Sequence, residues 1–183
     1  RMAAAYEGVI SVREDTDISG ARAVFLDAAA QALEALDAMR LAEGAHIAHD
    51  FEKRLVRLEM QRAQIKEIAP QIVAEYRAHL AELLAEFKEA APDESRLVQE
   101  AALYADRVNI TEELVRLASH FTQFRVILAE DAPVGRRLDF LLQEINRETN
   151  TIGSKANNAA AQQIVVAMKN EVEKLREQVQ NLE

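Results

Sequence analysis

The sequence predicts an all-α protein, and three observations lead to this fold class. The 183 residues include five glycines and three prolines, so few positions favour a turn. Hydrophobic residues make up 49% of the chain and are largely alanine and leucine, which favour helices, whereas aromatic residues make up 5%. Apolar residues also recur at spacings of three and four, as on the buried face of a helix. We expect an elongated long-helix hairpin plus a small helical bundle with coiled-coil-like packing.

The first element after the N-terminal segment is predicted to be a very long helix. Residues 1–19 are predicted to be a connector that ends near Ser19, a suitable helix N-cap. The helix then runs from Ala21 to about Ile68, unbroken or interrupted near Gly44. Unbroken, it would span on the order of 70 Å at about 1.5 Å per residue. Its apolar seam comprises Leu26, Ala29, Leu33, Leu36, Ile47, Phe51, Leu55, Leu58 and Ile65, with Arg62 as the one polar member.

Pro70 is predicted to turn the chain, because proline fits the first turn of a helix better than its interior. A second helix, Gln71–Lys88, would then pack back on the first and complete a hairpin over residues 20–91. The segment around Pro92 is the clearest loop in the chain. Residues 92–183 would form the C-terminal helical domain, beginning with a short helix from Ser95 to Arg107.

Three more helices are predicted in the C-terminal domain. Asn109 can cap the first of them, with Glu112 completing a capping box. Its apolar seam is Ile110, Leu114, Leu117, Phe121, Phe124 and Leu128. The second helix, Gly135–Lys155, would bury Leu138, Leu141, Leu142, Ile145, Thr149 and Ile152. The third runs from about Asn158 to Leu182 on the seam Val165, Met168, Val172, Leu175, Val179 and Leu182.

Composition excludes several classes of protein. Without cysteine, the chain can form neither disulfides nor thiolate metal sites, which fits the reducing cytoplasm as its expected location. No apolar run approaches the roughly eighteen residues that a bilayer-spanning helix needs. A glycine-rich phosphate loop and a serine nucleophile elbow are also missing. The net charge of −9 is unfavourable for nucleic-acid binding, so any RNA contact would need a local concentration of cations, bound metal ions or another domain.

The predicted helix Gly135–Lys155 carries an unusual number of polar groups. One stripe along it contains Arg137, Glu144, Glu148, Thr151 and Lys155, and the neighbouring stripe contains Gln143, Arg147, Asn150 and Ser154. Such rows are typical of a surface that binds a polar ligand. They are equally typical of exposed pairs such as Glu144 with Arg147, or Glu113 with Arg116 on the preceding helix.

Carboxylates and one histidine suggest a metal site. Glu144 and Glu148, four residues apart, can share one cation, and His120 and Glu113 on the preceding helix could face them across a short turn. Oxygen ligands with one nitrogen suit Mn²⁺ or Mg²⁺. Glu113, His120, Glu144 and Glu148 are therefore the candidate catalytic residues, the last three also being the candidate metal ligands.

The surrounding polar residues suit a ligand that carries phosphate groups, which the family resemblance given below implies to be RNA. Arg137, Arg147 and Lys155 would hold phosphates. The side chains of Gln143, Asn150, Thr151 and Ser154 could bond to phosphate, ribose hydroxyls or base edges. Arg116 and Asp139 would support these groups indirectly, Asp139 by anchoring Arg137 or Arg136.

Other histidines are interpreted as ordinary surface residues. Glu43 and His46 form one E-x-x-H pair, but di-metal bundles need that spacing twice together with further glutamates. His46, His49 and His79 are therefore expected to be exposed helix residues.

Four segments resemble the bacterial YicC family: RLDFLLQEINRETNTIGSK at 137–155, REQVQNLE at 176–183, ADRVNITEELVRLASH at 105–120 and MRLAEG at 39–44. The resemblance covers most of the chain. It implies a metal-dependent endoribonuclease that assembles into ring-like hexamers, with this chain as the helical C-terminal region and an α/β N-terminal domain missing.

Two hypotheses from different classes follow. In the first, the helices carry the metal-assisted cleavage of RNA, by a route that uses either the ribose 2′-hydroxyl or water. In the second, they form an oligomerisation and RNA-binding scaffold, and catalysis is supplied by another domain or a partner nuclease. An assembly module without a role in RNA binding is a third alternative.

Overall fold

A computed structural model describes residues 19–86, 94–180 and 182. These residues form five helices, namely α1 (Ser19–Glu86), α2 (Glu94–Arg107), α3 (Thr111–Leu128), α4 (Gly135–Lys155) and α5 (Ala159–Val179). No strand occurs in this part of the chain, so the all-α prediction is confirmed. The predicted connector, up to residue 18, and the centre of the predicted loop around Pro92 lie outside the described residues. None of the helices described is long and apolar enough to span a lipid bilayer.

The hairpin predicted for residues 20–91 is wrong, because α1 continues through Gly44 and Pro70 to Glu86. An interior proline costs about 3 kcal/mol, since it removes a backbone hydrogen bond and crowds the preceding turn. Packing on both sides of Pro70 offsets this cost. Ile65 and Ile72 are buried in the same core, and the Tyr76 ring stacks on Tyr104 of α2 at a centroid distance of 3.6 Å. Tertiary contacts thus stabilise a continuous helix at a position where local propensity favours a helix end.

The chain divides into two compact units, residues 1–45 and residues 46–183. In the first unit, the described residues belong to the N-terminal part of α1. The apolar side chains of this part are largely exposed: Val24, Phe25, Leu26, Leu33, Leu36, Met39 and Leu41. The predicted seam therefore has no covering element among the described residues of its own unit.

The second unit has one hydrophobic core, to which α1, α3, α4 and α5 all contribute. Phe51 of α1 meets Phe124 of α3 edge to face, with ring centroids 5.6 Å apart. Helix α4 packs against both α3 and α5. Gly135 at the start of α4 permits a close approach, because a Cβ atom there would lie 2.7 Å from the Leu182 carbonyl oxygen.

The apolar seams predicted for α3, α4 and α5 are confirmed. The residues named for them are buried, apart from Leu128 and Leu182, which are partly buried against the core. The prediction of a capping box at the start of α3 is wrong. Asn109 Oδ1 accepts a hydrogen bond from the Thr111 N–H at 3.0 Å, but the Glu112 carboxylate bonds to Arg116 at 2.8 Å. At α5, Asn158 Oδ1 accepts from the N–H groups of Ala160 and Ala161.

Candidate metal site and RNA surface on helices α3 and α4

His120, Glu144 and Glu148 come together at the contact between α3 and α4. One donor atom of each side chain lies within 4.8 Å of the other two, and no other group of three such residues does so in the described part of the chain. The two glutamates share a face of α4 because they are four residues apart. The turn at residues 129–134 returns the chain so that α4 packs on α3 and faces His120. We call these three residues the HEE cluster.

The HEE cluster is largely shielded from solvent and incompletely satisfied. Glu148 is 3% exposed, and Glu144 and His120 are partly buried. The Nδ1 atom of His120 is buried and has no hydrogen-bond partner among the described residues. Buried polar atoms nearly always have a partner, and leaving one unpaired costs about 1–3 kcal/mol.

The donor set of the HEE cluster suits a hard divalent cation. One imidazole nitrogen and carboxylate oxygens are ligands of Mn²⁺ and Mg²⁺. Opposite ligands of an ion with bonds of about 2.1 Å lie about 4.2 Å apart. The donor atoms of the HEE cluster lie within 4.8 Å of one another, so rotation of the side chains would be needed to bring all three onto one ion. The residues therefore fit such an ion.

Glu113 does not join the HEE cluster. Its Oε1 atom accepts a hydrogen bond from Lys155 Nζ at 2.8 Å, and Lys155 also donates to the Asn109 carbonyl oxygen at 3.0 Å. Burial raises the pKa of Glu113, but Lys155, with a smaller contribution from Arg116, outweighs burial and lowers it. Glu113 is therefore an ionised carboxylate that ties α3 to α4. Its catalytic role remains a prediction.

Arg116 contacts the HEE cluster directly. Its Nη1 atom lies 3.3 Å from Glu148 Oε1, and its Nη2 atom donates to Glu112 Oε2 at 2.8 Å. Hydrogen bonding and charge attraction from Glu148, with help from Glu112, raise the pKa of Arg116. No ion pair links Arg116 with Glu113 in the described structure, so the surface pair expected from their spacing is replaced by a contact across helices.

The three cations expected to bind phosphate each have a carboxylate partner. Arg137 pairs with Glu130, Arg147 with Glu144 at 3.4 Å, and Lys155 with Glu113. Asp139 was expected to anchor Arg137 or Arg136. Instead, its Oδ2 atom accepts from Gln143 Nε2 at 2.8 Å, because Gln143 lies one helical turn further along α4.

The polar residues at the end of α4 are partly engaged with their own helix. Thr151 Oγ1 donates to the Arg147 carbonyl oxygen at 3.1 Å, and Ser154 Oγ donates to the Thr151 carbonyl oxygen at 2.9 Å. Hydroxyl groups in helices commonly bond in this way to carbonyls three or four residues earlier. Their lone pairs can still accept hydrogen bonds. Asn150 is exposed. Binding of RNA by these residues remains a prediction.

Sequence reasoning missed a second cluster of charges, in which Arg54 of α1 meets Glu171 of α5. Arg54 Nη1 lies 3.0 Å from Glu171 Oε2, and Arg54 Nε lies 2.7 Å from Asp50 Oδ2. A signal for this cluster was present in the sequence. Glu171 is three residues after Met168, and Arg54 is three after Phe51, so both fall on apolar seams, where a charge needs a partner.

The histidines outside the HEE cluster are exposed, as expected. This holds for His46, His49 and His79. The E-x-x-H pair of Glu43 and His46 belongs to no group of three potential metal ligands among the described residues.

Comparison with known proteins identifies relatives of this chain. Residues 65–183 match the family model described as "Endoribonuclease YicC-like, C-terminal". A protein of Clostridioides difficile named "Probable endoribonuclease YicC" is 43% identical over 154 residues, which cover 83% of this chain and 53% of the relative. A protein of Haemophilus influenzae with the same name is 35% identical over 180 residues, which cover 97% of this chain and 61% of the relative.

The matched regions account for only part of these relatives. The chain spans about half to three fifths of the length of the two curated proteins. The family model, however, covers α2 to α5 completely and therefore includes every residue of the HEE cluster. The chain belongs to the YicC-like endoribonuclease family.

Proposed function

We propose that this chain carries the cleavage site of an endoribonuclease, with the HEE cluster as its centre and Mn²⁺ or Mg²⁺ as its cofactor. The observation that carries the proposal is the meeting of one imidazole and two carboxylates within 4.8 Å, in a chain whose relatives are named probable endoribonucleases. The class of reaction is the breaking of phosphodiester bonds in single-stranded or structured RNA.

Each side chain of the HEE cluster has a distinct part in this proposal. A bound divalent cation would neutralise phosphate charge and lower the pKa of bound water. Glu148, held by the core, supplies a carboxylate of fixed position, and Glu144 supplies a second carboxylate at the edge of the surface. His120 supplies the imidazole nitrogen of the donor set. Attack by the ribose 2′-hydroxyl and attack by water are both compatible with this arrangement.

RNA binding in this acidic chain would rely on an exchange of ion-pair partners. Arg116 and Arg147 flank the HEE cluster and are at least half exposed, so a phosphate group can replace their carboxylate partners. Arginine suits this exchange, because its planar group can bind two phosphate oxygens at once. The exposed side chains of Gln143 and Asn150 add uncharged contacts on the same helix.

The test is cleavage of a labelled single-stranded RNA by this chain and by a full-length relative. Reactions with Mn²⁺, with Mg²⁺ and with EDTA are compared, and we expect cutting only when a metal is supplied. Glu144→Gln should abolish it. Glu173→Gln is the matched control, because Glu173 also forms an exposed pair with an arginine three residues later but lies on α5, outside the cluster.

Three outcomes would contradict the proposed site. RNA cleavage that persists in EDTA would exclude a metal cofactor. Full activity of the Glu144→Gln and Glu148→Gln proteins would exclude the HEE cluster as the cleavage site. Cutting by the full-length relative alone, with this chain folded but inactive, assigns part of the site to residues beyond this chain.

A second candidate function is an oligomerisation and RNA-binding scaffold. It is supported by the exposed apolar side chains of the first unit, from Val24 to Leu41. Burying them between copies of the chain would stabilise a homo-oligomer, for which we propose a hexamer. Light scattering of a Leu33→Glu, Leu36→Glu double variant should show smaller particles than the unmodified chain, whereas an unchanged mass would exclude this surface. Assembly and RNA binding without cleavage would favour this second function.

A further inference from the structure

A cavity of about 380 Å³ lies in the second unit, between α1 and the junction of α2 with α3. It is separate from the HEE cluster. On α3 it is lined by Thr111, Leu114 and Val115, whereas Glu113, Arg116 and His120 lie on the other side of the buried seam of that helix. Its volume falls within the range of about 300–1,000 Å³ that is usual for small-molecule sites.

Charge is distributed unevenly in this cavity. Two cations of α1, Arg62 and Lys66, line it, and among the described residues that line it there is no aspartate or glutamate. The remaining walls are largely apolar and include Val73, Val108 and Val115. In a chain with a net charge of −9, an apolar cavity with cations and without carboxylates is selective for anions.

Both cations lack an acidic partner. Arg62 Nη1 donates to the Leu114 carbonyl oxygen at 3.1 Å, but the Nε atom of Arg62 is buried without an acceptor. The side chain of Lys66 is exposed, and its ammonium group forms no hydrogen bond or ion pair with the residues that the structure describes. An unsatisfied guanidinium nitrogen is unusual, because buried donors are almost always paired. Arg62 therefore brings to this wall of the cavity a positive charge that no carboxylate among the described residues compensates.

Pro70 is a further residue on the same wall of the cavity. It lines the cavity, and its ring nitrogen carries no hydrogen, so the Lys66 carbonyl oxygen receives no helical hydrogen bond from residue 70.

We propose that this cavity binds a small organic anion, that is, a carboxylate, sulfonate or phosphate group carried on an apolar or aromatic body. Lys66 and Arg62 meet the anionic group, and the body packs against Val73, Val108 and Val115. The site shares no residue with the HEE cluster.

The experiment measures binding of naphthalene-2-sulfonate and of its uncharged analogue 2-naphthylmethanol by titration calorimetry and methyl NMR. The chain has no tryptophan, so naphthalene fluorescence gives a further signal without that background. We expect the sulfonate to shift the methyl signals of Val73, Val108 and Val115. The neutral analogue should bind about tenfold more weakly, because it forms no ion pair with Lys66 or Arg62.

Two variants in the cavity and one control variant outside it locate the site. Lys66→Glu should weaken sulfonate binding at least about fivefold, and Lys53→Glu, the same change at an exposed lysine of α1 outside the cavity, should leave it unchanged. Ala105→Phe, which fills the cavity from α2, should abolish binding; a thermal melt shows whether this variant is folded. If Ala105→Phe is unfolded, the comparison of Lys66→Glu with Lys53→Glu still shows whether the sulfonate binds in this cavity.

Equal binding of the neutral analogue would overturn the proposal, as would equal weakening by Lys53→Glu and Lys66→Glu. Methyl shifts confined to leucines of the first unit would also overturn it, because they would assign the probe to the exposed apolar side chains there. None of these readouts depends on RNA, so a negative result leaves the proposed endoribonuclease site untouched.

Discussion

Two buried glutamates on neighbouring helices have opposite surroundings. Glu148 of α4 is 3% exposed and Glu171 of α5 is 8% exposed. Both oxygens of Glu171 face cations, with Arg54 at 3.0 Å, Lys174 at 3.3 Å and Arg57 at 3.6 Å. Within the described part of the chain, Glu148 pairs with one cation, Arg116 at 3.3 Å, which it shares with Glu112. Its other close neighbours include a second carboxylate and an imidazole.

This difference separates a carboxylate that holds the fold from one suited to hold a ligand. A buried negative charge costs several kcal/mol unless cations and hydrogen bonds compensate it. At Glu171 this compensation is complete within the chain and joins α1 to α5. At Glu148 it is incomplete, and such sites are where added cations bind and function concentrates. Burial alone therefore does not distinguish the two roles, whereas the number of partner cations does.

The largest effect that would sharpen this comparison is the loss of cleavage in Glu148→Gln. Replacing a metal-binding carboxylate by an amide should lower the rate constant at least about 100-fold, because the amide is neutral and binds divalent cations weakly. The measurement is RNA cleavage at saturating Mn²⁺, with a melting curve to establish that the variant is folded. Unchanged cleavage would remove Glu148 from the site and end the distinction between the two glutamates.

Glu171→Gln should have the opposite outcome. We expect a loss of about 2–3 kcal/mol in the free energy of unfolding, because Arg54 keeps Asp50 but loses its charged partner on α5. Urea denaturation measures this change. The control is Glu173→Gln on the exposed side of the same helix, which should change stability by less than about 0.5 kcal/mol. A Glu171→Gln protein that is fully stable but inactive would reverse the two roles.

The pH dependence of stability should follow Glu171. Burial raises its pKa, but Lys174 and Arg54 outweigh burial and lower it. A carboxylate with a lowered folded-state pKa contributes stability that is complete above its unfolded pKa of about 4.3 and is lost as the pH falls through the folded value. The stability difference between the unmodified chain and Glu171→Gln should therefore be constant from about pH 7 to pH 5.5 and shrink below about pH 4.5. A difference that grows in acid would contradict this sign.

A smaller effect is expected from Arg116→Gln. Removing the cation beside Glu148 frees a carboxylate oxygen, so Mn²⁺ should bind about two- to fivefold more tightly, as is usual when one exposed competing pair is lost. Electron paramagnetic resonance of free Mn²⁺ measures the affinity without any cleavage assay. Arg176→Gln on α5 is the control, since it removes a similar exposed pair at a distance from the cluster. Equal affinities of the two variants would show that Arg116 does not compete for Glu148.

The sequence was most informative where one helix face had to be apolar. The spacing of Leu138, Leu142 and Ile145 predicted the buried face of α4. It was misleading at Pro70, because local propensity favours a break there, whereas the decisive contacts are made by residues distant in sequence, such as Tyr104. No periodicity encodes contacts of that kind.

The candidate site was predicted as a set of residues more accurately than as a network. The periodicity of α4 placed Glu144 and Glu148 on one face, and the short turn after α3 allowed His120 to meet them, as the structure has it. Pairing was less predictable. Glu113 pairs with Lys155, and Arg116 pairs with Glu148. These partners depend on how α3 and α4 are rotated against each other, which the spacing of residues does not predict. Asp139 likewise bonded to Gln143, a neighbour that is always within reach on its own helix.

The proline inside α1 has a consequence for how the second unit opens. In the interior of a helix, the exchange of a backbone N–H with deuterium reports the opening of its hydrogen bond, but residue 70 has no such hydrogen and gives the Lys66 carbonyl no bond. The N–H groups of the next three residues can still bond to carbonyls before the proline, so the main chain of α1 loses one hydrogen bond and stays continuous. Hydrogen exchange should therefore show one local weak point at Pro70 within a single cooperative unit, because Ile65 and Ile72 on its two sides pack in the same core.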